Sequence, residues 1–247
     1  MNKDDIPYKD IKTIFIDAGN TLISMDFSWV LRELEPFGLT CTVEQLQRAE
    51  AASRPVVSKE LERLKSTESD DTFAFYVKAT IEHLPKETLP KHDNIDSILT
   101  SILPVLRAPG QTMRLWSYIL PGVPKALSIL NEKGFQLAVV SNSDGSVEKG
   151  LSDLGLSQHF HAIIDSQVIG YEKPDPRIFE HALAICNADP DRTVHIGDMY
   201  DTDILGAKAA GIHSILLDPY NDWNITDCPK QPDLLNFAMF IAAKIGR

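Results

Sequence analysis

Four polar groups in this chain can act together if the fold brings them to one place. The first is Asp17, which closes the apolar run Ile14-Phe15-Ile16 and precedes Ala18-Gly19-Asn20-Thr21. The second is Ser141-Asn142-Ser143, after Leu137-Ala138-Val139-Val140. The third is Lys173, within Gly170-Tyr171-Glu172-Lys173-Pro174-Asp175-Pro176. The fourth is Gly197-Asp198, with Asp201 and Asp203 close behind and Gly206-Ala207 following. Asp17 and Asp198 are hard oxygen donors, which suit Mg²⁺. Two carboxylates and a dianionic phosphate repel, by about 4 kcal/mol for a unit pair roughly 4 Å apart at an effective dielectric of about 20. A divalent cation and the Lys173 ammonium offset that charge. Asp17 can then attack phosphorus and form an acyl phosphate. Ser141 and the turn N–H groups beyond it can hold the phosphoryl oxygens as they gain charge.

Each group ends or follows a short apolar run, and those runs predict the scaffold. Candidate strands are Thr13–Asp17, Gln136–Ser141, Ala162–Asp165, Thr193–Gly197 and Ser214–Asp218. Amphipathic segments lie between them at Pro124–Glu132, Ser146–Leu154, Pro176–Cys186 and Asp201–Ala210. The alternation predicts an α/β fold, with a doubly wound, parallel, five-stranded Rossmann-like sheet and helices on both faces. Ligands of such sheets gather at the carboxyl ends of the strands, where all four groups fall. A last helix is expected over Asp233–Lys244. From about Met25 to Leu115 the pattern is helical only, over Phe27–Phe37, Val43–Leu64, Asp71–Leu84 and Asn94–Leu106. Residues 1–24 and 116–247 are therefore read as the α/β core, and 25–115 as an inserted all-α cap.

In order and strand context, these motifs resemble the haloacid dehalogenase-like hydrolase superfamily, in its subfamily with a helical cap after the first motif. Asp17 matches the nucleophile motif. Ser141-Asn142 resembles the second motif, Lys173 in Lys-Pro-Asp-Pro the third, and Gly197-Asp-Met-Tyr-Asp-Thr-Asp203-Ile-Leu-Gly-Ala207 the fourth. Leu120-Pro121-Gly122-Val123 resembles the usual re-entry from cap to core. The resemblance implies that Asp17 is the nucleophile and a metal ligand, that the Gly19 carbonyl is a second ligand, and that Asp198 is the direct acidic ligand. Asp203 joins the metal site as an outer partner. Ser141 and Lys173 bind the phosphoryl group, with Asn142 and Thr21 beside the substrate.

The chain departs from the phosphatase pattern at Gly19. Phosphatases of the superfamily carry an aspartate there, which protonates the leaving oxygen and then activates water. Such help is worth about 10²–10⁴-fold, and glycine cannot give it. Three readings follow. Another carboxylate takes the role, Asp26 and Asp144 being nearest in sequence. Or the substrates are acyl, aryl or anhydride phosphates, whose leaving groups need little help. Or the reaction is carbon–halogen or carbon–phosphorus cleavage, the latter needing a cap lysine such as Lys59, Lys65 or Lys78. A weakly catalytic protein that binds phosphate and metal is a further alternative.

The remaining features bound the partners. The 247 residues carry a formal net charge of −11, which opposes binding to polyanions by counterion release. Nucleic acid and anionic membrane are thus not expected, and no apolar run of membrane-spanning length exists. Met1–Lys12 has no apolar signal core. Cys41, Cys186 and Cys228 lack metal or redox spacing. The expectation is a cytoplasmic enzyme with Mg²⁺ as cofactor and a small phosphorylated metabolite as substrate. His195, inside an apolar strand, reads as a packed histidine. Asp201 reads as a helix-end acid, and Trp29, Phe73, Phe75 and Tyr76 as the aromatic core of the cap.

Overall fold

The computed structural model describes residues 6–64, 66–90 and 94–245, and the chain divides into two compact units. Unit one comprises Met1–Ile23 and Ile119–Arg247, and unit two is Ser24–Tyr118.

Unit one is built on a six-stranded parallel sheet. Its strands are β1 (Thr13–Ile16), β2 (Gln136–Ser141), β3 (Ala162–Asp165), β4 (Thr193–Gly197), β5 (His213–Leu217) and β6 (Lys230–Gln231). They lie in the order β3-β2-β1-β4-β5-β6. The sequence leads to five strands, and the structure adds β6. That strand is two residues long and polar, and it pairs only Leu216 and Leu217, so it leaves no hydrophobic signature. The order reverses between β1 and β4, which makes their carboxyl ends the switch point of the sheet.

Register sets which residues meet there. Ile16 pairs with Val139 of β2 and with Ile196 of β4. The Asp17 N–H continues the ladder to the Ile196 carbonyl at 2.9 Å. Asp17 and Gly197-Asp198 therefore leave the sheet side by side. Burial drives this arrangement: every residue of β1, β4 and β5 is buried, as befits parallel strands covered on both faces. Phe15, Ala138, Val140 and Ile164 pack against Ile178, Phe179 and Ala182 of the helix Pro176–Cys186. Asp175 caps that helix through the Arg177 N–H, and Pro176 opens it, as the missing donor of proline permits. The last helix runs Leu234–Lys244 with Asp233 as its cap.

Apart from Ser24 and Tyr118 at its ends, which belong to the short strands Ile23–Ser24 and Tyr118–Ile119, the regular structure of unit two is helical among the described residues. Its main helices are Phe27–Leu34, Val43–Leu64, Asp70–Glu82 and Ile95–Leu106. Trp29, Phe73 and Tyr76 are buried and Phe75 is half-buried. Asp26 caps the first helix by accepting from the Trp29 N–H at 3.1 Å. Within the unit, Glu50 takes a two-point bond from Arg54 and a third from the Tyr76 hydroxyl at 2.7 Å. Among the described residues no helix is long and apolar enough to cross a membrane. All three cysteines are buried free thiols.

Candidate active site

All the site residues named from sequence lie in unit one, at the carboxyl ends of its strands. Asp17 follows β1, Ser141 ends β2, and Asp198 follows β4. Lys173 comes from the loop before helix Pro176–Cys186. It is 3% exposed and donates to Asp17 Oδ1 and to Asp203 Oδ1, both at 2.6 Å. One ammonium thus joins two carboxylates that are themselves 7% and 1% exposed.

The electrostatics of this trio follow from burial and charge. Loss of water lifts the Asp17 carboxyl to about 6, against the pull of Lys173 and with the push of Asp203. Burial works against the Lys173 ammonium too, but Asp17 and Asp203 outweigh it and hold its pKa above the ordinary lysine value. Burial likewise opposes ionisation of Asp203, and Lys173 with His195 outweighs it, holding the carboxyl well below its usual range. Removing one partner of a buried ion pair costs about 3–5 kcal/mol. Lys173→Met should therefore lower unfolding free energy by about that amount, because two carboxylates lose their countercharge. Urea titration without added metal measures it. Lys173→Met combined with Asp17→Asn should be the more stable of the two variants; equal stability of wild type and Lys173→Met would refute the ion-pair argument.

Asp203 is held by more than Lys173. Its Oδ1 also faces His195 Nε2 at 3.0 Å, and its Oδ2 accepts from the Met199 N–H at 3.0 Å. A Cβ added at Gly197 would overlap the Asp203 carboxyl carbon, so glycine is what lets the carboxylate lie on the strand end. The approach is set by a six-residue π-helical turn over Tyr200–Leu205, a form often found at functional sites. At its end an added Cβ on Gly206 would come 2.9 Å from Pro174 Cα. Small residues at 197 and 206 thus bring the Asp203 turn and the Lys173 loop together.

Asn142 meets the Lys173 backbone. Its Oδ1 accepts from the Lys173 N–H at 2.7 Å and its Nδ2 donates to the Lys173 carbonyl at 2.9 Å. This two-way clamp fixes the backbone that carries the lysine, so Asn142 acts as a support for Lys173. The Ser141 hydroxyl, buried at the end of β2, donates to its neighbour's carbonyl at 3.2 Å. Thr21 is 1% exposed, and its hydroxyl has no hydrogen-bond partner among the described residues.

Asp17, Asp198 and Asp203 each bring a carboxylate oxygen within 4.8 Å of the others, all buried. An all-oxygen donor set without cysteine fits a hard divalent cation such as Mg²⁺. Asp203 already accepts protein donors on both its oxygens.

The two carboxylates considered as substitutes at Gly19 are both committed locally. Asp26 caps a helix of unit two. Asp144 is exposed and accepts from the Ser146 N–H at 3.2 Å and from its hydroxyl at 2.5 Å. Of the lysines considered for an imine, Lys65 lies outside the described residues, and Lys59 is exposed. Lys78 donates to Asp96 at 2.8 Å, a bond that raises its pKa and opposes the neutral amine an imine requires. Sequence reasoning missed His195 as a partner of Asp203. The signal was its place three residues before Asp198 in an otherwise apolar strand.

The family model of haloacid dehalogenase-like hydrolases matches residues 11–211. The chain belongs to the haloacid dehalogenase-like hydrolases. It is similar to the haloacid dehalogenase-like hydrolase domain-containing protein 3 of Bos taurus, 42% identical over 99 residues that cover 40% of this chain and 39% of that one. It is also similar to a glyceraldehyde 3-phosphate phosphatase of Methanothermobacter thermautotrophicus, 38% identical over 98 residues covering 39% of this chain and 43% of the other. The chain spans about two-fifths of the length of these curated relatives. Among solved structures, a HAD-hydrolase of Bacillus subtilis bound to magnesium shares the fold, with a TM-score of 0.61 at 19% identity over 94% of this chain and 98% of that one.

Proposed function

We propose that this haloacid dehalogenase-like hydrolase is a Mg²⁺-dependent phosphatase of small phosphorylated metabolites that reacts through an aspartyl-phosphate on Asp17. The observation that carries the reading is the buried Asp17 at the sheet's switch point, held 2.6 Å from the Lys173 ammonium with Asp198 and Asp203 beside it. The likeness to a glyceraldehyde 3-phosphate phosphatase supports the substrate class. Three buried thiols without a disulfide support a reducing, cytoplasmic setting. We read the helical unit, Ser24–Tyr118, as the domain that selects the substrate.

In this mechanism Lys173 and Ser141 bind the phosphoryl oxygens, and Asp17 attacks phosphorus as the ester oxygen departs. Asp17, the Gly19 carbonyl and Asp198 would hold Mg²⁺, which when bound would supply positive charge against the phosphoryl oxygens. Water then attacks the acyl phosphate, frees inorganic phosphate and regenerates the Asp17 carboxylate. Asn142 and Asp203 keep the ammonium in place throughout.

Gly19 shapes the substrate range. With Asp26 and Asp144 occupied locally, the departing oxygen leaves without a carboxylic acid to protonate it. Rates should therefore favour good leaving groups. Turnover of p-nitrophenyl and acyl phosphates should exceed that of simple alkyl phosphates by about 10²–10⁴-fold, the usual worth of general acid help. A steady-state panel with Mg²⁺ reads this directly, and equal rates across the panel would contradict it. The same glycine favours a second reading, a protein that binds Mg²⁺ and phosphate with little turnover. Calorimetric binding of both with no product from the panel would establish it.

A further inference from the structure

The mechanism above gives no task to His195, although among the described residues its imidazole is the one in contact with the site. It stands mid-strand in β4, paired in register with Phe15 of β1. It is fully buried, and its ring meets Phe179 edge-on, with centroids 4.9 Å apart. Its Nε2 lies 3.0 Å from Asp203 Oδ1, the same oxygen that receives the Lys173 ammonium at 2.6 Å. The other oxygen of Asp203 accepts from the Met199 N–H. Three donors therefore converge on one carboxylate, and a carboxylate can only accept, so the proton sits on Nε2. An unbroken chain runs from β4 through Asp203 and Lys173 to Asp17.

We propose that His195 is a positioning residue, whose Nε2–H pins the Asp203 carboxylate so that Asp203 holds the Lys173 ammonium against Asp17. Phe179 fixes the plane of the imidazole, and the bare Gly197 lets Asp203 reach it. Without the histidine donor, Asp203 keeps Met199 and Lys173 but loses the bond that sets its rotation. Lys173 then shares a looser partner, and the phosphoryl site loses its shape. The kinetic part of this inference rests on the phosphatase reading; the binding and spectroscopic parts do not.

Two variants separate positioning from packing. His195→Phe keeps a ring beside Phe179 and removes the donor. His195→Gln places an amide nitrogen the same number of bonds from Cα as Nε2. With p-nitrophenyl phosphate and Mg²⁺, His195→Phe should lower kcat by about 10–100-fold, the usual effect of losing such a supporting bond. Binding of inorganic phosphate in the presence of Mg²⁺, measured by calorimetry, should weaken by a similar factor. His195→Gln should restore most of both. Nitrogen-resolved NMR of the wild type should show the ring proton on Nε2. Wild-type values of kcat and phosphate affinity in His195→Phe would overturn the proposal. So would equal losses in the Phe and Gln variants, which would mark a packing role, and so would a bare Nε2. If His195→Phe fails to fold, the Gln variant and the wild-type spectrum decide. If the wild type turns over no ester on the panel, the phosphatase reading fails, and phosphate binding with the NMR spectrum still decides the role of His195.

Discussion

Asp17→Asn should reduce kcat on every substrate by about 10⁴-fold or more, as loss of a covalent nucleophile does in enzymes whose residues act as a unit. The substitution removes the attacking oxygen and one negative charge, while the shape of the side chain is kept. Lys173 retains Asp203 as its partner at 2.6 Å, so the fold should persist and the melting temperature should change little. The Asn side chain still reaches into the strand-end site, so phosphate binding through Lys173 and Ser141 should survive even as turnover disappears. A steady-state assay paired with a thermal melt reads both effects. Turnover that persists in a folded Asp17→Asn would remove Asp17 from the mechanism.

Gly19→Asp should work in the opposite direction. It should raise the rate on simple alkyl phosphates by about 10²–10⁴-fold and leave p-nitrophenyl phosphate nearly unchanged. The reason lies in what the turn already provides. Its shape is set by backbone bonds from the Leu22 and Ile23 N–H groups to the Ala18 carbonyl and from the Asn20 N–H to the Ile23 carbonyl. Asn20, with φ of 52°, takes the left-handed position, and Gly19 is not among the glycines with positive φ. The backbone at position 19 therefore does not require glycine, and an aspartate carboxyl there would stand two residues from the nucleophile. A folded Gly19→Asp with no gain on alkyl phosphates would show that proton delivery is not what this position lacks.

Much of the framework was legible in the sequence because parallel strands buried on both faces read as continuous apolar runs. Gln136–Ser141, Ala162–Asp165 and Thr193–Gly197 fall where the runs put them. Lys230–Gln231 does not announce itself, since its place in the sheet comes from pairing with Leu216 and Leu217 rather than from its own residues. The candidate site divides in the same way. Asp17 and Asp198 follow strand ends and Lys173 comes from a loop, all within recognisable motifs, and the structure gathers Asp17 with Lys173 and with Asp198. What each supporting side chain bonds to is a tertiary fact. Asn142 follows a strand, and its amide closes on the Lys173 backbone. His195 looks like a packed core residue, and it is one, while its far nitrogen meets Asp203 from eight positions away in the chain. The need for glycine at 197 is equally hidden until the Asp203 carboxylate is seen lying on it.

The covalent role of Asp17 is tested most directly by catching the intermediate. The enzyme is mixed with a reactive phosphate ester and Mg²⁺, quenched in acid within the first turnovers, digested, and mapped by mass spectrometry. The expected result is a hydroxylamine-labile phosphoryl group on the peptide that carries Asp17, absent from the Asp17→Asn protein. Steady product formation with no phosphoryl group on that peptide, at quench times that capture the first turnover, would contradict it.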